Sequence, residues 1–252
     1  MAEGRRYSAG EGELTYGRIT RQALGMLRAE FGRVAIVALV LFVPPPLLVA
    51  FLDGIRESLE VDRTLIQGLG FLIGIILATT IRLFGPVVYA GYLEEAVGSE
   101  YFRGERHRFV DVLAQLPWVR LVAAEILLIA GTTIGLTLFV IPGLIYFTFF
   151  VLVGPVIVQE RLGVLAAFRR TYELSRGAWK MVFILVVVMV GIEQLVAELF
   201  HEILHHRSIV AQVGVEWIIA SVLGGAVGLI EVALATELMA RRPAKVSSSV
   251  EA

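Results

Sequence analysis

Residues 119–180 read VRLVAAEILLIAGTTIGLTLFV, then IPG, then LIYFTFFVLVGPVIVQE, then RLGVLAAFRRTYELSRGAWK. From Leu121 to Gln159 the only charged residue is Glu125. One membrane crossing needs about 20 apolar residues, so this run is long enough for two. Ile141-Pro142-Gly143 lies in its middle. Proline lacks the backbone donor and glycine permits a turn, so two spans joined by almost no loop are expected there. A basic amphipathic segment follows and leads into another apolar run. The pattern predicts a polytopic, all-α membrane protein.

Composition agrees with that class. Of 252 residues, 57% are hydrophobic and 18% charged, and the mean hydropathy is +0.79. A soluble domain carries nearer a quarter charged residues. The absence of cysteine excludes disulfides, thiol nucleophiles and iron–sulfur sites held by thiolates. The first thirty residues show no apolar stretch followed by a cleavage site, so the first span is expected to act as its own membrane signal. No nucleotide-binding loop, catalytic serine motif or nucleic-acid module is visible.

Outward from the opening stretch, the hydrophobic pattern predicts spans at about 34–52, 65–88, 119–140, 143–159, 181–200 and 215–239 within a membrane domain covering 14–240. Residues 1–13 and 241–252 read as disordered tails. Before span one, Ile19, Ala23, Met26, Leu27 and Phe31 recur at helical spacing among Arg18, Arg21, Arg28 and Arg33, predicting a basic interfacial helix. Pro44-Pro45-Pro46 predicts a kink within span one. With the N-terminus cytoplasmic, the inside segments carry six, four, five and three Lys or Arg residues, eighteen in all. Only Arg56, Arg63 and Arg207 fall outside, while Arg82 lies within a span. That asymmetry predicts six spans with both termini cytoplasmic in the inner (plasma) membrane. Gly85-Pro86-Val87 is echoed by Gly154-Pro155-Val156, and Arg21, Arg28 and Phe31 by Arg169, Arg176 and Trp179. The two offsets differ, so no single duplication explains both.

The run from Ile141 to Leu185 carries a family resemblance in its Pro142-Gly143 turn, Pro155, Glu160, and the Arg170, Leu174, Arg176-Gly177 and Trp179 segment. It resembles a broad bacterial group of six-span proteins. That group is related to the membrane domain attached to some glycerophosphoryl diester phosphodiesterases, and many of its members stand alone. The resemblance implies a helical membrane domain without the phosphodiesterase's soluble catalytic barrel.

Three sets of residues are candidates for function. His201, Glu202 and His205 match HExxH, which places two imidazoles one helical turn apart with a glutamate beside a metal-bound water. Glu216 is the acid that could complete a zinc site. Glu231 lies fifteen residues further on, about 22 Å along a helix, and is too far away. The plainer reading of the motif is a span ending in water-facing polar residues. Second, Glu193, Gln194, Glu198, His201, Glu202 and His205 make a polar stripe along span five. It reads either as a path for cations, protons or polar solutes, or as a hydrogen-bonded seam between helices. Third, Arg161, Arg169, Arg170, Arg176 and Lys180 suit anionic lipid headgroups or an elbow that fixes topology. Arg82, Glu125 and Glu231 lie at similar membrane depth, and a buried ion pair is expected among them.

These readings predict a non-enzymatic envelope component that interacts with membrane lipids or small polar solutes, with no cofactor. A zinc-dependent membrane hydrolase centred on 201–205 is the alternative, and a small transporter using the span-five stripe is a further one. No nucleic acid is expected as a partner, and the sequence does not name a protein partner.

Overall fold

A computed structural model describes residues 13–42, 86–104, 109–204 and 209–243. Among these there is helix and no strand. The helices are α1 (Tyr16–Leu41), α2 (Pro86–Leu93), α3 (Phe109–Gln115), α4 (Trp118–Leu138), α5 (Val140–Phe150), α6 (Val153–Glu160), α7 (Val164–Arg176), α8 (Trp179–Leu204) and α9 (Ile209–Arg241), and a π-helical segment, Glu94–Arg103, continues α2. Among the described residues, three stretches are long and apolar enough to cross a membrane: Trp118–Leu138, Val140–Glu160 and Trp217–Arg241. The prolines at 44–46 and the expected span two before Pro86 lie outside the described residues.

The outer frame is a clasp between α1 and α9. Arg18 meets Glu237 at one end and the Trp217 indole donates to the Leu39 carbonyl at the other, so the two helices run antiparallel along their length. Ile19, Ala23 and Met26 are buried, so that part of the apolar stripe of the basic segment faces protein, while Phe31 is exposed. A single non-helical residue, Glu30 (φ −131°, ψ 36°), separates that segment from the apolar half of α1. Gly224 lies against the Phe42 ring and Gly228 against Tyr89 and Leu93, showing how the small-residue face of α9 admits close neighbours.

Helices α4, α5 and α6 form the expected hairpin. Its turn is at Phe139, which is extended (φ −157°, ψ 143°), two residues before the expected break. Pro142 instead sits in the first turn of α5, where a missing N–H costs little because those donors lack intrahelical partners. The helical arms of the hairpin approach so closely that a Cβ at Gly135 would stand 2.6 Å from the Gly143 Cα. Further down, the Tyr146 hydroxyl donates to the Leu127 carbonyl. The second arm is not one helix: Val151 and Leu152 interrupt it before Gly154-Pro155. Pro155 cannot donate to the preceding turn, which accounts for the bend.

Helix α2 is the axle. It touches α1, α4, α6 and α9. Tyr89, Tyr92 and Leu93 are fully buried with Leu121, Leu152, Ile157 and Leu229. The two Gly-Pro-Val motifs meet here, since a Cβ added to Gly154 would run into the Val87 carbonyl oxygen. The echo in the sequence is therefore a backbone crossing between α2 and α6.

Candidate functional site

The start of α2 leaves buried backbone donors to be satisfied. The first backbone N–H groups of a helix have no intrahelical acceptor, and when buried they need another partner. Pro86 removes one donor at the first helical position. Glu125 from α4 serves the next two: its Oε2 accepts from Val87 N–H at 2.9 Å and Val88 N–H at 3.2 Å. A carboxylate also suits the positive end of the helix dipole. Glu125 and Glu231 are both buried and lie within electrostatic reach of each other. Arg82, expected to pair with them, lies outside the described residues.

About 9 Å along α9 from Glu231, Glu237 opens a layer of charge that closes one end of the bundle. Its Oε1 accepts from Arg18 Nε at 2.7 Å and from Gln22 Nε2 at 2.5 Å, and Oε2 meets Arg241 at 3.3 Å. Glu94 is fully buried, with Arg103 at 2.9 Å and the Thr236 hydroxyl donating at 3.4 Å. Burial pushes the Glu94 carboxyl up to about 7, against the opposing pull of Arg103. Glu95 receives both of its hydrogen bonds from Arg161 Nη2, at 3.0 and 3.1 Å. Arg161 also donates to the Gln115 carbonyl, and its own carbonyl accepts from Arg120 at 3.0 Å. Glu160 takes Arg170 at 2.9 Å, and Arg170 in turn reaches the Arg242 carbonyl. The Arg242 guanidinium lies over Gly177 and donates to the Glu173 carbonyl at 2.8 Å.

Two backbone features hold this layer. The π-helical segment ends at Gly104, whose φ of +74° suits glycine. Arg161 is left-handed at φ 52°, the one described non-glycine residue with positive φ, and it stops α6.

The structure divides the five basic residues of 161–180. Arg161 and Arg170 are tied to Glu95 and Glu160. Arg169, Arg176 and Lys180 are exposed. Beside them, Leu165, Tyr172 and Trp179 are exposed too, while Ala167, Thr171, Leu174 and Ser175 form the buried face of α7. Phe168 is half-buried and stacks with Phe150.

No family model, curated protein or solved structure matches the chain. The site must therefore be read from its own residues.

Along α8, Glu198 is exposed, and the side chains of Glu193, Gln194, His201 and Glu202 lie outside the described residues, as does His205. Glu216 falls two turns into α9 with its side chain likewise outside them. Among the described residues no group of three His, Cys, Asp or Glu could hold a metal ion. What the arrangement does chemically is neutralise its own charge. The sequence reading missed Glu94, Glu95 and Glu237 as partners of arginines. The available signal was a pair of acids directly after an apolar run, with arginines at 103 and 161.

Proposed function

We propose that this is a six-span inner-membrane protein with both termini cytoplasmic, acting as a non-enzymatic envelope component that engages lipid. The carrying observation is that the described buried carboxylates of the charged layer are each taken by an arginine of the same chain. Groups so engaged hold helices together and are poorly placed to receive a substrate. The antiparallel clasp supports the topology, because it brings the basic ends of the first and last described helices together. That shared end carries Arg18, Arg103, Arg161, Arg170 and Arg241, as the positive-inside rule requires of a cytoplasmic face. The resemblance to the stand-alone relatives of phosphodiesterase membrane domains points the same way.

The HExxH at His201, Glu202 and His205 favours a second reading, a zinc-dependent hydrolase. Metal analysis of the purified chain separates the two. The envelope reading expects substoichiometric zinc and no effect specific to Glu202→Gln. One tightly held zinc per chain, lost in both His201→Ala and His205→Ala, would replace it with the hydrolase.

A further inference from the structure

We infer that the outward face of α7, with the first turn of α8, binds anionic glycerophospholipid headgroups, an inference that rests on the membrane reading above. Helix α7 connects Glu160, where one apolar stretch ends, to Trp179, where the next apolar helix begins. Its axis is thereby held at the level where apolar helices meet water. Its inward face is closed by Ala167, Thr171, Leu174 and Ser175.

The outward face combines two chemistries. Leu165 is 78% exposed and Tyr172 and Trp179 nearly half, which would be costly in water and is ordinary at a bilayer boundary. Arg169, Arg176 and Lys180 surround them, and only Arg169 has a described ion pair, an exposed 3.5 Å contact with Glu173. Pairs of that kind contribute little. Three cations against Glu173 leave the face with a net charge of +2. Guanidinium and ammonium groups both donate to phosphate oxygens, and the guanidinium can do so in pairs.

Continuity with the bundle surface selects lipid over a soluble partner. The Tyr172 ring contacts Phe149 of α5 at 5.2 Å, and the Trp179 ring contacts Phe183 of α8 at 6.5 Å. Exposed Ile145 and Ile184 extend the apolar surface along those two helices. Acyl chains can therefore follow the spans while the headgroup meets the cations. Arg161 and Arg170 take no part, because Glu95 and Glu160 hold them.

The test is native mass spectrometry of the full chain after reconstitution in an equimolar mixture of phosphatidylcholine and phosphatidylglycerol. The wild type should retain phosphatidylglycerol several-fold over phosphatidylcholine. The triple variant Arg169→Gln, Arg176→Gln, Lys180→Gln should lose that preference while melting like wild type in plain detergent. Equal retention of both lipids by wild type, or an unchanged preference in the triple variant, would overturn the inference. A nitroxide on Leu165→Cys reports the membrane reading separately, which is straightforward in a chain without native cysteine. A label at the headgroup level without lipid selectivity refutes only the headgroup site. A fully aqueous label refutes the placement of α7 and the site with it.

Discussion

Arg161 holds a backbone conformation that costs a non-glycine residue about 1–2 kcal/mol. Glycine would relieve it, yet Glu95 would then lose both its hydrogen bonds while remaining buried. Hydrogen bonds to a charged group contribute about 1.5–3 kcal/mol, and the half-exposed guanidinium places this pair at the lower end. Arg161→Gly should therefore lower the melting temperature in detergent, with a net loss of about 1 kcal/mol; a more stable variant would show that strain outweighs the pair. Glu94 carries the pH prediction. Its folded carboxyl titrates near 7, above the ordinary value of 4.5, so the folded state favours the neutral form. Its contribution is fully present below about 4.5 and is lost as pH rises towards 7. Between pH 5 and 7.5 the melting temperature should fall more steeply in wild type than in Glu94→Gln, and parallel curves would remove Glu94 from the account. Its pairing with Arg103 was not legible in the sequence for a geometric reason. Nine residues span two and a half turns of α-helix, which sets the side chains on opposite faces. In a π-helix, with about 4.4 residues per turn, nine residues make about two turns and bring them together.

At the level of elements, hydrophobic periodicity located α4, α8 and α9 and the hairpin of α4 with α5 and α6, because apolar runs bounded by charge have few other readings. It misplaced the turn, since Pro142 marks a helix start as readily as a helix end. Two other features escaped it: the bend before Pro155 and the burial of one face of the basic half of α1. The latter depends on Glu237, over two hundred residues away, and no local pattern carries that. The Gly-Pro-Val echo was visible, but its meaning as a crossing was not. That crossing makes a prediction. Gly154→Ala pushes a methyl group at the Val87 carbonyl, a backbone atom that cannot swing aside. It should cost about 1–3 kcal/mol, the usual penalty of overpacking. Gly17→Ala, where a Cβ meets nothing within 4 Å, should be neutral or stabilising. Matching losses in the two variants, read by thermal unfolding in detergent, would mean that α2 and α6 do not touch at Gly154.

Across the whole molecule, segregated charge made the fold class readable, while the Arg–Glu layer was hidden because its partners come from α1, the π-helical segment, α6, α7 and α9 together. The six-span topology is tested by single cysteines. Those at Ser58 and Ser208 should react with an impermeant reagent in intact cells, and those at exposed Ala166 and at Ser247 should not. External labelling at Ala166→Cys would invert or break the topology. Ser99 is unsuitable as a reporter because it is buried and its hydroxyl is committed to the Glu95 carbonyl. The clasp between α1 and α9 also bears on biosynthesis. A ribosome makes α1 before α9, so until α9 emerges Arg18 and Gln22 lack their Glu237 acceptor. The nascent chain must shelter a polar, half-apolar helix across the 219 positions that separate Arg18 from Glu237, and a product that stalls before Glu237 never closes. Emergence of α9 is then itself the step that covers the inward face of α1, where Ile19, Gln22 and Met26 lie buried, and α9 acts as its seal.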